Sequence, residues 1–284
     1  MSEWSPKAQL QSRGLRPKKH FGQNFLADEN LAQRIADLVP QGASVVELGA
    51  GLGALTRPLL TRAGQLVAVE RDRDLVPALV ELFPTEIAEG RLRVEEADAK
   101  AVSVTELLAG APRPYVLAGN LPYQISGPLL EAAVHMAGEV ERVIFLLQLE
   151  VVDRLIAPAN SDHYGALSVF VQAAFEVERA LVIRRGAFYP QPEVDSAVVV
   201  LTPRASRIAE THAFRGLVKG AFGQRRKKLS NAWQGVCNKS RQELAAAAAR
   251  AGIDLDARGE TLGVADFARM ALELEPEPEP EPEP

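Results

Sequence analysis

The chain has one cysteine in 284 residues, Cys237, so neither an intramolecular disulfide framework nor a multi-cysteine metal cage is open to it. Its four histidines, His20, His135, His163 and His212, are scattered. No two stand at the spacing of a zinc pair, so no metal is expected. No apolar run approaches the roughly 18 residues that a membrane span needs. The first thirty residues are charged and hold no continuous apolar stretch, unlike a secretory signal. A cytoplasmic protein is the expectation. An excess of one charge is also missing from the body of the chain. The net charge is −5, but Glu275 to Pro284 are five Glu-Pro repeats, and without them acids and bases balance. With 47% apolar and 24% charged residues, the chain can bury a sizeable core. Its length fits about two domains of ~150 residues each.

The charge that is present is unevenly placed. Lys7, Arg13, Arg16, Lys18 and Lys19 fall within residues 1–24 against Glu3 alone. Residues 211–242 hold Arg215, Lys219, Arg225, Arg226, Lys227, Lys228, Lys239 and Arg241 and no acid. Two basic zones on a neutral body fit a phosphate-backbone partner, although a solvated helix face gives the same composition.

Residues 1–18 have no periodicity and are expected as a flexible basic arm. Residues 27–39 carry Leu31, Ile35, Leu38 and Val39 at helical spacing behind a plausible cap, Asp28. Short apolar runs then alternate with helical stretches. Strands are expected at 44–48, 65–70, 92–95, 115–118 and 142–148, with helices at 54–62, 74–83, 104–109 and 128–137. This β-α rhythm predicts an α/β fold, a mostly parallel sheet with helices on both faces. The runs 170–177, 180–184 and 197–202 are expected as antiparallel strands closing the sheet. After Pro203 the pattern is helical only, at 213–222, 227–236, 241–251 and 264–274. The expected division is therefore an arm (1–18), an α/β domain (19–203), a small all-helical domain (204–274) and a disordered Glu-Pro tail (275–284).

Three motifs carry chemistry. Glu47-Leu48-Gly49-Ala50-Gly51-Leu52-Gly53 runs from a strand through glycines into a helix. Side chains there would block the approach of backbone to a ligand. It is neither the Gly-x-Gly-x-x-Gly of dinucleotide enzymes nor an ATP phosphate loop, and alone it also fits a tight strand–helix turn. Glu70 ends the next strand and can accept both hydroxyls of a ribose. Asp98 follows the third and can accept from an adenine amino group. Acids at successive strand ends beside a glycine loop point to an adenosine-containing ligand, with exposed loop acids as the plainer alternative. Asn120-Leu121-Pro122-Tyr123 follows the fourth strand. The exocyclic amine of adenine is a poor nucleophile because its lone pair is delocalised. The Asn120 side-chain oxygen and the Leu121 carbonyl can grip its two hydrogens, and Pro122 restricts the direction of that carbonyl. Tyr123 offers a flat face for stacking. A plain β-turn with a packed tyrosine would look the same.

These motifs occur in order with two others, Lys19-His20-Phe21-Gly22-Gln23-Asn24-Phe25-Leu26 and Phe188-Tyr189-Pro190-Gln191-Pro192-Glu193-Val194-Asp195-Ser196. Over about residues 15–272 the chain closely resembles the small-subunit ribosomal RNA adenine N6,N6-dimethyltransferases. His20 stands where that family usually has arginine or lysine. The resemblance implies a class I methyltransferase fold, S-adenosylmethionine as cofactor, and dimethylation of two adjacent adenosines in a hairpin loop near the 3′ end of 16S rRNA. It implies that Asn24, Leu26, Gly49, Gly51, Glu70, Asp98 and Asn120 form the cofactor pocket, and that Phe188 and Tyr123 sandwich a flipped adenine. It implies that the helical domain meets rRNA, with Arg225, Arg226, Lys227 and Lys228 as first phosphate contacts and Lys18 and Lys19 as second. The expected partner is the small ribosomal subunit and the expected state a monomer. Other readings are a 23S rRNA adenine methyltransferase of the antibiotic-resistance type, a non-catalytic ribosome-assembly or transcription factor on the same fold, and a small-molecule methyltransferase. The starting arm and the Phe-x-Pro-x-Pro block favour the small subunit.

Overall fold

The computed structural model describes residues 4–275. The strands are β1 (Phe25–Leu26), β2 (Ser44–Leu48), β3 (Gln65–Glu70), β4 (Leu92–Glu96), β5 (Tyr115–Asn120), β6 (Arg142–Gln148), β7 (Phe175–Ile183), β8 (Phe188–Tyr189) and β9 (Ser196–Pro203). Seven of them form one sheet in the order β4-β3-β2-β5-β6-β9-β7, while β1 and β8 make a separate antiparallel pair. From β4 to β6 every pairing is parallel, and β9 and β7 close the sheet antiparallel, the class I methyltransferase arrangement. Strand β2 is buried at all five positions. This is why Ser-Val-Val-Glu-Leu shows an apolar run and no alternation.

The strand order decides where a ligand can sit. After β2 the chain lays down β3 and β4 on one side, then returns to place β5 on the other. Connections leaving β2 and β5 diverge, and a crevice opens at their carboxyl ends. In register, Leu48 of β2 lies between Val69 of β3 and Gly119 of β5. The glycine loop after Leu48 and the Asn120 motif after Gly119 therefore meet across that crevice, although some seventy residues separate them.

Two compact units are distinguished, residues 1–153 with 175–205, and residues 154–174 with 206–284. The division thus differs from a single cut at 203. Residues 154–174 join the helical unit because Tyr164, Val169 and Ala173 are buried in one cluster with Phe214, Leu217, Trp233 and Phe267. The indole of Trp233 donates to the Leu217 carbonyl at 2.9 Å, so this core has no unsatisfied indole N–H. Helices His212–Gly223, Arg241–Ala251 and Val264–Leu274 stand where the periodicity places them. The expected helix 227–236 is interrupted. Only Leu229–Ala232 is α-helical, and Gly235 takes φ +76° before a short turn, Val236–Asn238.

Three further expectations are corrected. The run starting at Phe170 is not a strand to its amino end, for Ala166–Ala174 is a helix and β7 begins at Phe175. A short apolar run buried on most sides has no period that tells helix from strand. What is left of that run and the expected run 180–184 fall in one strand, β7, with a register irregularity between Arg179 and Leu181. The arm also carries structure. Pro6–Ser12 is a helix, capped by Ser5 and started by proline, and its Leu10 is buried with Phe25, Leu52 and Leu75. The Glu-Pro repeats, Glu275 apart, lie outside the described residues. Among the described residues no helix is long and apolar enough to cross a membrane.

The tightest backbone approach tests this geometry. A Cβ on Gly119 would lie 2.5 Å from the Leu48 carbonyl oxygen of the neighbouring strand. Gly119→Ala is expected to lower stability by about 1–3 kcal/mol, read as a lower urea midpoint. Gly127→Ala, at an open position in helix Ser126–His135, is expected to hold or raise the midpoint.

Candidate functional site

One cavity at the carboxyl ends of β2, β3, β4 and β5 is lined by Asn24, Leu26, Gly49, Gly51, Glu70, Asp98 and Asn120, together with Leu121, Pro122 and Tyr123. Residues from five separate stretches of chain are thus brought to one place. Gly49 (φ +74°) and Gly51 (φ +58°) turn the chain out of β2. A Cβ on Gly51 would come within 3.1 Å of the Phe25 ring. A branched side chain there would both strain the turn and fill the cavity floor.

Glu70 is buried at the end of β3. One carboxylate oxygen accepts the Gly51 N–H at 2.7 Å and the other the Asp72 N–H at 2.7 Å. Burial pushes its pKa up, and the two backbone N–H groups oppose that rise. Each oxygen keeps a lone pair for a hydroxyl donor. The network continues outward. Asp72, itself buried, accepts from Lys18 Nζ at 2.5 Å and from Gln23 Nε2 at 2.7 Å, and Gln23 Oε1 accepts the Lys18 N–H at 2.8 Å. Burial works against the Asp72 charge, but Lys18 and Gln23 outweigh it and hold its pKa below the usual range. Lys18 also bonds Asp74 at 2.6 Å, and its own pKa is raised by the bonds to both acids. The segment carrying Asn24 and Leu26 is tied in this way to the turn after Glu70.

Asn120 is the pivotal side chain. Its Nδ2 donates to the Asn24 carbonyl at 2.9 Å, which orients the amide and turns Oδ1 to other donors. Asn24 donates in turn to the Gly22 carbonyl at 3.1 Å. Pro122 has φ −57° and ψ 128°, an extended link out of β5. Beyond it Tyr123 is half-buried, its hydroxyl 2.7 Å from Ser196 Oγ of β9. Burial raises its pKa, with the Ser196 bond opposing, so the phenol stays neutral and its ring is held at two ends. Tyr123 lines both the inner cavity and a larger cleft outside it. At the opposite wall Asp98 faces Arg71 Nη1 at 3.2 Å and accepts the Lys100 N–H at 3.1 Å.

The remaining candidates fall elsewhere. Phe188 is buried in the core cluster and stands opposite Leu26 in the β1–β8 pair. It lines neither the inner cavity nor the outer cleft, and Tyr189, its neighbour in the strand, lines the cleft with Tyr123. Successive residues of a strand face opposite ways, so only one of the two can do so. Lys18 is engaged with Asp72 and Asp74, and Lys19 opens the turn Lys19–Phe21. In the helical unit Arg225 donates to the carbonyls of Asp162 (3.2 Å) and Tyr164 (2.9 Å), and Lys228 pairs with Asp256 at 3.0 Å. Arg226 and Lys227 are exposed. Gln23 and Asp72 were not among the sequence candidates. The acid two residues after Glu70 is the signal that could have marked Asp72.

Residues 14–275 match the family described as Ribosomal RNA adenine dimethylase. A ribosomal RNA small subunit methyltransferase A of Anaeromyxobacter sp. (strain K) is 43% identical, covering 94% of this chain and 96% of its own. Its counterpart in Xanthomonas campestris pv. campestris (strain 8004) is 44% identical over 89% of this chain and 95% of its own. Among solved structures, a dimethyladenosine transferase from Plasmodium falciparum has a TM-score of 0.71 at 22% identity, covering 88% of this chain and 96% of that one. The 23S rRNA methyltransferase ErmE has 0.64 at 26% identity, covering 88% and 99%.

A second buried acid, Glu47, closes the cavity floor and accepts from Thr56 Oγ1 at 2.6 Å. Burial pushes its pKa up to about 8 from an ordinary 4.5. Between those values the unfolded chain has released this proton and the folded chain still holds it. Glu47 therefore makes stability fall as pH rises from about 4.5 to 8. Glu47→Gln is expected to flatten that fall and to raise the urea midpoint at pH 8 more than at pH 5. Equal shifts at both pH values would show that Glu47 is ionised in the fold.

Proposed function

The chain belongs to the ribosomal RNA adenine dimethylase family, and on that premise we propose that it dimethylates the exocyclic amines of two adjacent adenosines in the 3′-terminal hairpin loop of small-subunit rRNA, acting as a cytoplasmic monomer. The observation that carries this reading is the Asn120 amide. Its nitrogen is engaged by Asn24, and its oxygen is left as an acceptor in a cavity shared with Glu70 and bordered by Tyr123.

The residues present fit S-adenosylmethionine. Glu70 keeps two lone pairs where a ribose would bring two hydroxyls, Asp98 stands one strand further for the adenine amine, and the glycines leave space where Cβ atoms would project. When bound, S-adenosylmethionine supplies a methyl carbon on a sulfonium with a neutral thioether as leaving group. This chain's residues orient the nucleophile. Asn120 Oδ1 and the Leu121 carbonyl accept the two amine hydrogens, which favours a tetrahedral nitrogen and frees its lone pair. Tyr123 gives the base a face held at a fixed height by Ser196. The amine proton passes to water after transfer, so no strong base is required. Orientation of this kind can supply ~7–11 kcal/mol of barrier reduction at best. A monomethylated amine keeps one hydrogen, and one of the two acceptors suffices to aim it for the second transfer. The 43–44% identity to small-subunit enzymes, against 26% to a 23S enzyme of the same fold, favours the small subunit.

Asn120→Ala is expected to reduce labelled-methyl transfer to small subunits by roughly a hundredfold or more, with a thermal midpoint lowered only by the loss of its one bond to the Asn24 carbonyl. Wild-type turnover by that variant would refute the assignment, and mapping the modified nucleotides on wild-type product tests the choice of subunit. Of Arg225, Arg226, Lys227 and Lys228, Arg226 and Lys227 are the two left exposed and without a side-chain partner among the described residues. Arg226→Ala with Lys227→Ala is expected to weaken rRNA binding and flatten its salt dependence, by about 0.9 in slope for each duplex phosphate no longer neutralised.

A further inference from the structure

The cleft outside Tyr123 shares Gly22, Gln23, Asn24, Tyr123 and Gln124 with the inner cavity and continues between the amino-terminal segment and residues 189–194. The proposed reaction does not use its outer part. Of the cations in the first eighteen residues, Arg13 bonds Gln9 Oε1 at 2.6 Å and reaches Glu81 at 3.3 Å, and Lys18 is tied to Asp72 and Asp74. Lys7 and Arg16 are the others, and both line the cleft. Both are exposed, and neither has a partner among the described residues. Glu193 on the rim is the one acid of the lining. Tyr189 lines the same cleft as Tyr123, and it is packed against the Leu10, Phe25 and Leu52 cluster. A ring backed by apolar packing and open to a cleft is a stacking surface with little entropy left to lose. The exposed Gln124 and Gln191 add uncharged donors and acceptors.

We propose that this outer cleft is a second nucleotide subsite, holding the single-stranded RNA nucleotide next to the adenosine being methylated, with its base on Tyr189 and a phosphate against Lys7 and Arg16. The inference rests on the reading that RNA is the substrate. A base drawn into the inner cavity leaves its neighbour unstacked, and the cleft meets both needs of that neighbour at the mouth through which the target passes. Two adjacent targets then use the two places in turn, the strand moving on by one nucleotide between them.

The test uses the full chain saturated with S-adenosylhomocysteine and a fluorescein-labelled pentaribonucleotide bearing two adjacent adenines. Fluorescence anisotropy gives its affinity across a salt series. Lys7→Ala with Arg16→Ala is expected to lower the slope of log affinity against log salt by about 0.7, the share of the one single-strand phosphate they neutralise. Tyr189→Leu is expected to weaken binding about tenfold at unchanged slope, and Tyr189→Phe to restore it. Calorimetric affinity for S-adenosylhomocysteine stays the same in all three variants, which reports an intact inner site. An unchanged slope in the double variant, full affinity in Tyr189→Leu, or no binding of the pentanucleotide by wild type overturns the subsite. A wild-type chain that binds the pentanucleotide with the expected slope but methylates no rRNA refutes the catalytic reading alone and leaves the subsite standing.

Discussion

A carboxylate buried at the end of a β-strand is unfavourable unless its oxygens are met by donors, and the active end of this molecule is organised around meeting those of Glu70. The Gly51 N–H supplies one bond and the Asp72 N–H the other. The first fixes the path of the glycine loop, because only a chain turning at positive φ presents that N–H to the acid. The second fixes the turn after β3 and so aims the Asp72 side chain. Asp72 then holds Lys18 and Gln23, and through them the segment whose Asn24 carbonyl orients Asn120. A single desolvated group thus ties the glycine loop and the turn after β3 to the Asn120 amide across the crevice. Breaking a link would leave a buried acceptor unpaired, so the links are formed together.

The sheet makes such a chain of bonds short. Parallel strands place all their carboxyl ends on one edge, and the reversal of order at β2 opens a crevice there. Positions 98, 70, 49 and 120 are distant in sequence but stand at or just beyond the ends of four neighbouring strands around that crevice. The same geometry limits tolerance. A Cβ on Gly119 would strike the Leu48 backbone, so any other residue at 119 would push these two strands apart where the site's loops leave them. The site is therefore built on the ends of rigid elements, with only the amino-terminal segment added from outside the sheet.

Much of this was legible in the residues. The parallel strands β2, β3, β5 and β6 appear as apolar runs because both of their faces are covered, and the acid at 70 stands at a strand end because a charge ends such a run. Asp28 was legible as a cap and does accept the Leu31 N–H. What was not legible depends on partners distant in sequence. The arm has too few apolar residues to show a period, and its helix exists because Leu10 finds Phe25, Leu52 and Leu75. Residues 170–174 are buried by the helical unit's core, and a run covered on most sides carries no trace of its period. In Phe188-Tyr189 a two-residue strand gives no alternation to read, so the pairing with β1 alone decides which ring is buried.

Charge shows the same limit most sharply. A count of lysines and arginines says how much positive charge a segment carries, not how much is available. Lys18 spends its charge on Asp72 and Asp74, and Arg225 turns its guanidinium to backbone carbonyls and Glu260. Both belong to basic zones, yet each holds a loop of its own unit in place. A phosphate would have to displace those bonds to recruit them, whereas at Arg226 and Lys227 it would displace only water. Electrostatic attraction at long range depends on the net charge of the whole zone, partner acids included, within a Debye length of about 8–10 Å. Direct binding of a phosphate depends only on the cations without partners. A count of basic residues therefore overstates both the long-range field and the direct contacts a zone can offer, because each ion pair removes a cation from both.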